Sequence, residues 1–369
     1  VSSLSPAFSV TSFSDLPFWG EDAASGAFAA FRRSAFRVLV KPYRSGSLGV
    51  AVEAFEPAYA EARGLDELTD PQARAFFERH FVPAFVKPDI AEHGLVTGFY
   101  EPQVEASPVR TEIFCVPLLG RPADLVDIDD TNRPPGFDPY LAFGRVTEAG
   151  IVPYHDRGEI ERGALSGTGL EIAWLSDPVD AFFIHVQGAA RLVITDGSLR
   201  RVTYVAKSGH RFSGPGRILA DLGEIPLADI TMQSIRAWFR AHPERINEIL
   251  WQNRSYIFFR DAAVEDPALG PIAAAKVPLQ PGRSIAVDRL LHTFGTPFYI
   301  DAPDLLAFEG KPFRRLMIAQ DTGSAITGPA RGDLFAGSGD EAGEIAGVVR
   351  AAANFYALIP RVLVEGKPR

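Results

Sequence analysis

The spacing of apolar positions changes along the chain, and the changes mark out its elements. In "WGEDAASGAFAAFRRSAFRVL" (19–39), alanine and phenylalanine recur at helical spacing and predict an amphipathic helix. A second helix is predicted over 70–85, "DPQARAFFERHFVPAF", with Asp70 as N-cap and Pro71 at its first position. "HGLVTGFYEPQVEAS" (93–107) then alternates like a strand. The segments 114–120, 173–188 and 190–209 read as strands, and "TDGS" (195–198) reads as the turn of a hairpin. A polar loop covers 127–139, and helix returns over 231–252, with Thr231 as N-cap and Pro243 dividing it. Further strands are expected at 255–260, 284–291, 297–302 and 314–321, then a helix over 340–352 and a last apolar run at 354–364. The switch to β character and back suggests a β-rich insertion, 103–245, between two halves of another domain, 1–102 plus 246–369.

Composition supports cores of this size without changing the outline. The chain has 369 residues, 46% of them hydrophobic, which suits two domains. Net charge is −9 with scattered basic residues, which argues against nucleic acid and against an anionic membrane surface. The single cysteine, Cys115, is expected to be buried and makes no disulfide within the chain. No apolar run reaches the ~20 residues of a membrane helix. The chain starts at Val1, and a removed presequence is expected.

Most chemistry-bearing motifs fail on inspection. The seven histidines have no ligand spacing, and the acidic loop 124–130 lacks the closing glutamate of a calcium loop. No metal and no cofactor are expected. "GSGDEAG" (337–343) opens a helix, but Asp340, Glu341 and Glu344 would repel a phosphate. No G-x-S-x-G elbow is present. What remains is carboxylates. Asp288, Asp321 and Asp333 stand at strand ends, the last two in the glycine-rich "QDTGSAITGPARGDLFAGSG" (320–339). Rigid strand ends can hold acids at a cleft, and apolar neighbours raise a carboxyl pKa toward general-acid use. Thr97, Phe99, Tyr100 and Glu101, with Gln187 and Arg191, offer the aromatic faces and polar side chains that a sugar ring needs.

"GFYEP" (98–102), "VQGAARL" (186–192), "GPGRIL" (214–219), "NRSYIFF" (253–259), "PGRSIAVD" (281–288) and the segment 320–347 occur in order. Together they resemble the MltA family of membrane-bound lytic murein transglycosylases, and the last segment resembles its 3D domain (about 280–340). The resemblance implies a mainly β fold: a double-psi β-barrel, like barwin and some endoglucanases, with a β-rich domain inserted and a groove between them. It implies a lyase (EC 4.2.2 type) that cuts the β-1,4 bond between N-acetylmuramic acid and N-acetylglucosamine, leaving a 1,6-anhydro sugar. Asp333 matches the catalytic acid, Asp321 and Asp288 the supporting carboxylates. Expected partners are peptidoglycan strands and other cell-wall enzymes, in the periplasm, with attachment to the outer membrane through a lipid anchor. Two departures stand out: Ala189 where the family reads serine, and Thr327 where it reads lysine or arginine. A hydrolase using water and two carboxylates, or a non-catalytic peptidoglycan binder, are the competing readings.

Overall fold

The structure, a computed structural model, describes residues 4–89 and 91–365. The chain divides into two compact units, Val1–Tyr100 with Asp266–Arg369, and Glu101–Glu265.

The first unit is built on eight strands: β1 (Phe8–Val10), β2 (Phe81–Val86), β3 (Gly94–Glu101), β4 (Ser284–Val287), β5 (Pro297–Ala302), β6 (Phe313–Asp321), β7 (Arg331–Ser338) and β8 (Arg350–Pro360). Their order is β1-β2-β8-β5-β6-β4-β7-β3, and β3 also pairs with β8. Six strands therefore close into a ring, β8-β5-β6-β4-β7-β3, with β1 and β2 extending from β8. The β4–β6 pair is parallel, while β4–β7 and β3–β8 are antiparallel.

Helix α1 (Ser25–Val40) forms where the Ala/Phe spacing put it, and buries Ala27, Phe28, Ala30, Phe31, Ser34 and Ala35. Phe31 is the hub of that face: its ring lies 5.0 Å from Tyr59, 5.8 Å from Phe76, 5.7 Å from Phe77 and 5.8 Å from Phe81. Tyr59 belongs to α2 (Glu56–Gly64), Phe76 and Phe77 to α3 (Asp70–His80). The second helix is shorter than its sequence suggested, because Phe81 starts β2. Its N-cap is Thr69, which shares a capping box with Gln72. Asp70 instead accepts a 2.9 Å bond from the Ser25 amide and ties α3 to the start of α1.

The second unit holds a four-stranded sheet, ordered Ile257–Ala262, Leu199–Lys207, Ala189–Ile194, Gln103–Ala106. Its hairpin turns at 195–198, where Gly197 has φ 85° and Asp196 accepts from the Ser198 amide at 2.8 Å. The unit runs past 245 because Ile257–Ala262 pairs with Leu199–Lys207. One expected strand is a helix: Pro178–Gln187, capped by the Asp177 carboxylate on the Val179 amide and ended by Gly188 at φ 76°. Its Phe182 and Phe183 join Leu219, Ile235, Trp238, Phe239, Ile249 and Leu250 in a helical cluster. Thr231 caps Met232–Ala241, and Pro243 begins a separate turn, as expected. Cys115 is exposed, contrary to expectation, because it stands in the loop before the strand Val116–Leu119. Among the described residues no helix is long and apolar enough to cross a membrane.

Candidate active site

Two of the three aspartates meet on one strand of the ring. Ala286 of β4 is opposite Asp321 of β6 on one side and opposite Asp333 of β7 on the other. Cross-strand partners project to the same face, so both carboxylates lie on the face that Ala286 shares, with backbones two strand spacings apart, roughly 9–10 Å. This register depends on an irregularity: Ile285 is opposite Ala319, but Ala286 is opposite Asp321. The skipped residue, Gln320, is fully buried and bonds Ala30 O (2.7 Å), Ser34 Oγ (2.9 Å) and Ser284 Oγ (2.6 Å). A bulge pinned by a buried amide thus aims Asp321 at the site.

Asp333 is gripped from β3. Thr97 Oγ1 donates to Asp333 Oδ1 at 2.5 Å, while Arg331 Nη2 donates to the same Thr97 oxygen at 2.7 Å. The arginine fixes the hydroxyl rotor, so the Thr97 proton points at Oδ1; among the described residues Oδ2 has no hydrogen bond. Burial raises the Asp333 pKa, against the pull of the Thr97 hydroxyl and the Arg331 charge. Asp321 is pushed up to about 6, chiefly by burial. The Ala274 amide, 3.1 Å from Oδ1, and the Thr322 amide oppose this; the Asp333 charge adds to it and the Lys276 charge subtracts.

Asp288 has a different place. Its Oδ1 accepts from the Leu290 amide and its Oδ2 from the Gly328 amide, both at 3.0 Å. Four residues on, buried His292 bonds Pro329 O at 2.7 Å through Nε2. Together they stitch the turn after β4 to the 322–330 loop that separates Asp321 from Asp333.

The sugar-binding residues expected from the sequence are dispersed in role. Phe99 is half-buried, its ring 5.2 Å from Phe335. Tyr100 is buried against Gly343 of α4 (Asp340–Val348). Glu101 is wholly buried in the second unit and accepts from Arg191 Nε (2.8 Å) and from Arg201 Nε (2.5 Å) and Nη2 (3.0 Å). Arg191 is buried beside it. Gln187 is half-buried at the end of its helix, and Ala189 is buried opposite Thr203. Thr327 is exposed.

Two cations were missed. Arg331 is two residues before Asp333 on β7, hence on the same face, which strand alternation would have revealed. Lys276 lies in a turn whose Ala274 amide holds Asp321; only its conformation, φ 60°, marks it, and no sequence signal does.

A sheet-rich ring carrying paired strand-borne carboxylates, joined to a second unit of small sheets and helices, defines a recognisable class. The description "MltA specific insert domain" matches residues 95–260, and "3D domain" matches 283–359. A crystal structure of a membrane-bound lytic murein transglycosylase from Agrobacterium tumefaciens is 51% identical, over 97% of this chain and 99% of that one, with a TM-score of 0.91. MltA of Neisseria gonorrhoeae, in a monoclinic crystal, is 32% identical over 96% of this chain and 92% of that one, with a TM-score of 0.79. E. coli MltA with bound chitohexaose is 26% identical over 97% of this chain and 96% of that one, TM-score 0.69. In sequence, membrane-bound lytic murein transglycosylase A of E. coli K12 is 34% identical over 68% of this chain, and the match spans 61% of the E. coli protein's length. This chain belongs to the MltA family and carries its 3D domain.

Proposed function

We propose that the protein is a lytic murein transglycosylase acting on peptidoglycan strands in the periplasm, with Asp333 as its one acid–base group. The observation that carries this is the setting of Asp333: a carboxyl raised by burial, with one oxygen held by Thr97 and no hydrogen bond to the other among the described residues. Asp333 gives its proton to the glycosidic oxygen as the bond to C1 of N-acetylmuramic acid breaks. The C6 hydroxyl of the same sugar attacks C1 and returns its proton to the Asp333 carboxylate. One bond forms for the one that breaks, no water is consumed, and the acid is regenerated. Arg331 and Thr97 offer a cation and an oriented dipole to the carboxylate that exists between the two proton transfers. In this reading the six-strand ring is a double-psi β-barrel, a topology that its closure and parallel β4–β6 pair support.

Incubation with purified murein sacculi, followed by mass spectrometry of released muropeptides, tests the proposal. Products one water lighter than hydrolytic species are expected, and Asp333→Asn loses them by a factor of at least about 10³. Fully hydrated products point to the hydrolase, and no soluble product to a binder.

A further inference from the structure

Lys276 stands apart from every role assigned so far. Its backbone is in the left-handed region, φ 60°; among the described residues the only other non-glycine residue with positive φ is Phe18. Such a conformation is strained for any residue with a Cβ, and it persists where surrounding structure imposes it. Here the imposition is visible. Lys276 N donates to Ala273 O at 2.9 Å and Ala273 N to Val277 O at 3.1 Å, closing a tight turn. The turn is fastened by Tyr43 Oη on Ala275 O (3.0 Å), Ala275 N on Gln320 O (3.0 Å) and Ala274 N on Asp321 Oδ1 (3.1 Å). Glycine would occupy the position without strain. Instead it carries an exposed ammonium near enough to Asp321 to favour that group's ionised form. No carboxylate among the described residues lies within 4 Å of that ammonium.

We propose that Lys276 is a specificity residue whose ammonium, borne near Asp321 on the 273–277 turn, receives a carboxylate borne by the glycan. The inference rests on the transglycosylase reading and assigns to Lys276 the contact with the anionic group on its strands. The carboxylate has two sources. In strands stripped of stem peptides it is the lactyl group of muramic acid, and in intact strands it belongs to the peptide. A point charge on a rigid turn discriminates by affinity, so the preference resides in KM.

The experiment uses peptide-free glycan strands, the same strands with their lactyl groups converted to amides, and peptide-bearing strands. Binding is measured on Asp333→Asn, which does not turn over, with and without Lys276→Gly; kinetics are measured on Lys276→Gly and Lys276→Arg. Lys276→Gly is expected to weaken binding of the carboxylate strands and raise their KM about three- to fivefold, the scale of one exposed ion pair. It leaves amidated strands unaffected and melts no lower than the parent, since glycine relieves φ 60°. Lys276→Arg keeps the preference. A loss confined to peptide-free strands assigns the lactyl group, and one confined to peptide-bearing strands assigns the peptide. Equal losses on acid and amide strands, or none on either, overturn the proposal. Hydrated products with the binding preference intact overturn the transglycosylase reading and leave the subsite standing.

Discussion

Thr97 shows how much of the site's chemistry rests on single atoms. Its hydroxyl lowers the Asp333 pKa, so Thr97→Val raises that pKa further. The acid must be protonated at the start of the reaction; the alkaline limb of the kcat/KM profile therefore moves to higher pH, while kcat falls about tenfold, one lost transition-state hydrogen bond. Asp321 has a measurable stability signature. Its folded pKa of about 6 lies above the ordinary 3.8, so the proton favours the folded state. That contribution is complete below about pH 4 and fades as pH rises through 6, and Asp321→Asn is expected to be more stable at pH 7.5 by on the order of 3 kcal/mol, read in urea titrations at pH 4.5 and 7.5. Glu101→Gln leaves two buried guanidiniums without their carboxylate and costs about 3–5 kcal/mol in the same titrations, with KM little changed in what still folds. At this scale the sequence was half legible. Strand-end position singled out the aspartates, but nothing in one dimension shows that Glu101 meets two arginines 90 and 100 residues away. A motif containing an acid, an aromatic and a glycine looks alike whether it faces a ligand or a core.

Among elements, the informative part is the loop between β6 and β7. It joins the two aspartates, and its hold on the turn after β4 runs through Asp288 and His292. Asp288→Ala is therefore expected to speed amide exchange at Gly328 and lower kcat about tenfold without displacing β7, as heteronuclear NMR at the Asp333 amide would show. A fully retained rate would make the stitch irrelevant to turnover. The errors of the sequence reading are also of element size. Residues 178–187 read as strand in the sequence because "AFFIHV" is continuously apolar, a pattern shared by buried strands and buried helices. The deciding signals were at its ends: Asp177 and Pro178 before, Gly188 after. Phe81–Val86 was absorbed into the preceding helix for the converse reason, since Phe77 and Phe81 are spaced as helix neighbours yet the chain turns extended between them. The ring itself is not a local property; β3 and β8 pair across more than 250 residues, as Thr97 and Arg350 show.

For the molecule as a whole, the charge balance sets expectations for encounter. With net −9 and basic residues scattered, no global field draws in a polyanionic strand, and recognition falls to local cations. The rate kcat/KM is expected to change less than about threefold between 50 and 300 mM NaCl, measured on soluble glycan strands. A steeper fall would reveal steering. The division into units was visible as a change of character near residue 100, while its return point was not, because the last strand of the second unit resembles those that follow. One geometric fact described above also governs how such a protein is made. The hydrogen bond from Thr97 to Asp333 spans 236 residues. A chain leaving the ribosome presents Thr97 early and waits through the synthesis of the entire second unit before the carboxylate arrives. Contacts of that span close late and slowly. A nascent or truncated chain ending before residue 333 lacks the proposed acid, and a full-length chain sets it against Thr97 only when β3 and β7 pair. On the proposed reading, the protein stays without its acid–base group for most of its manufacture, through topology alone.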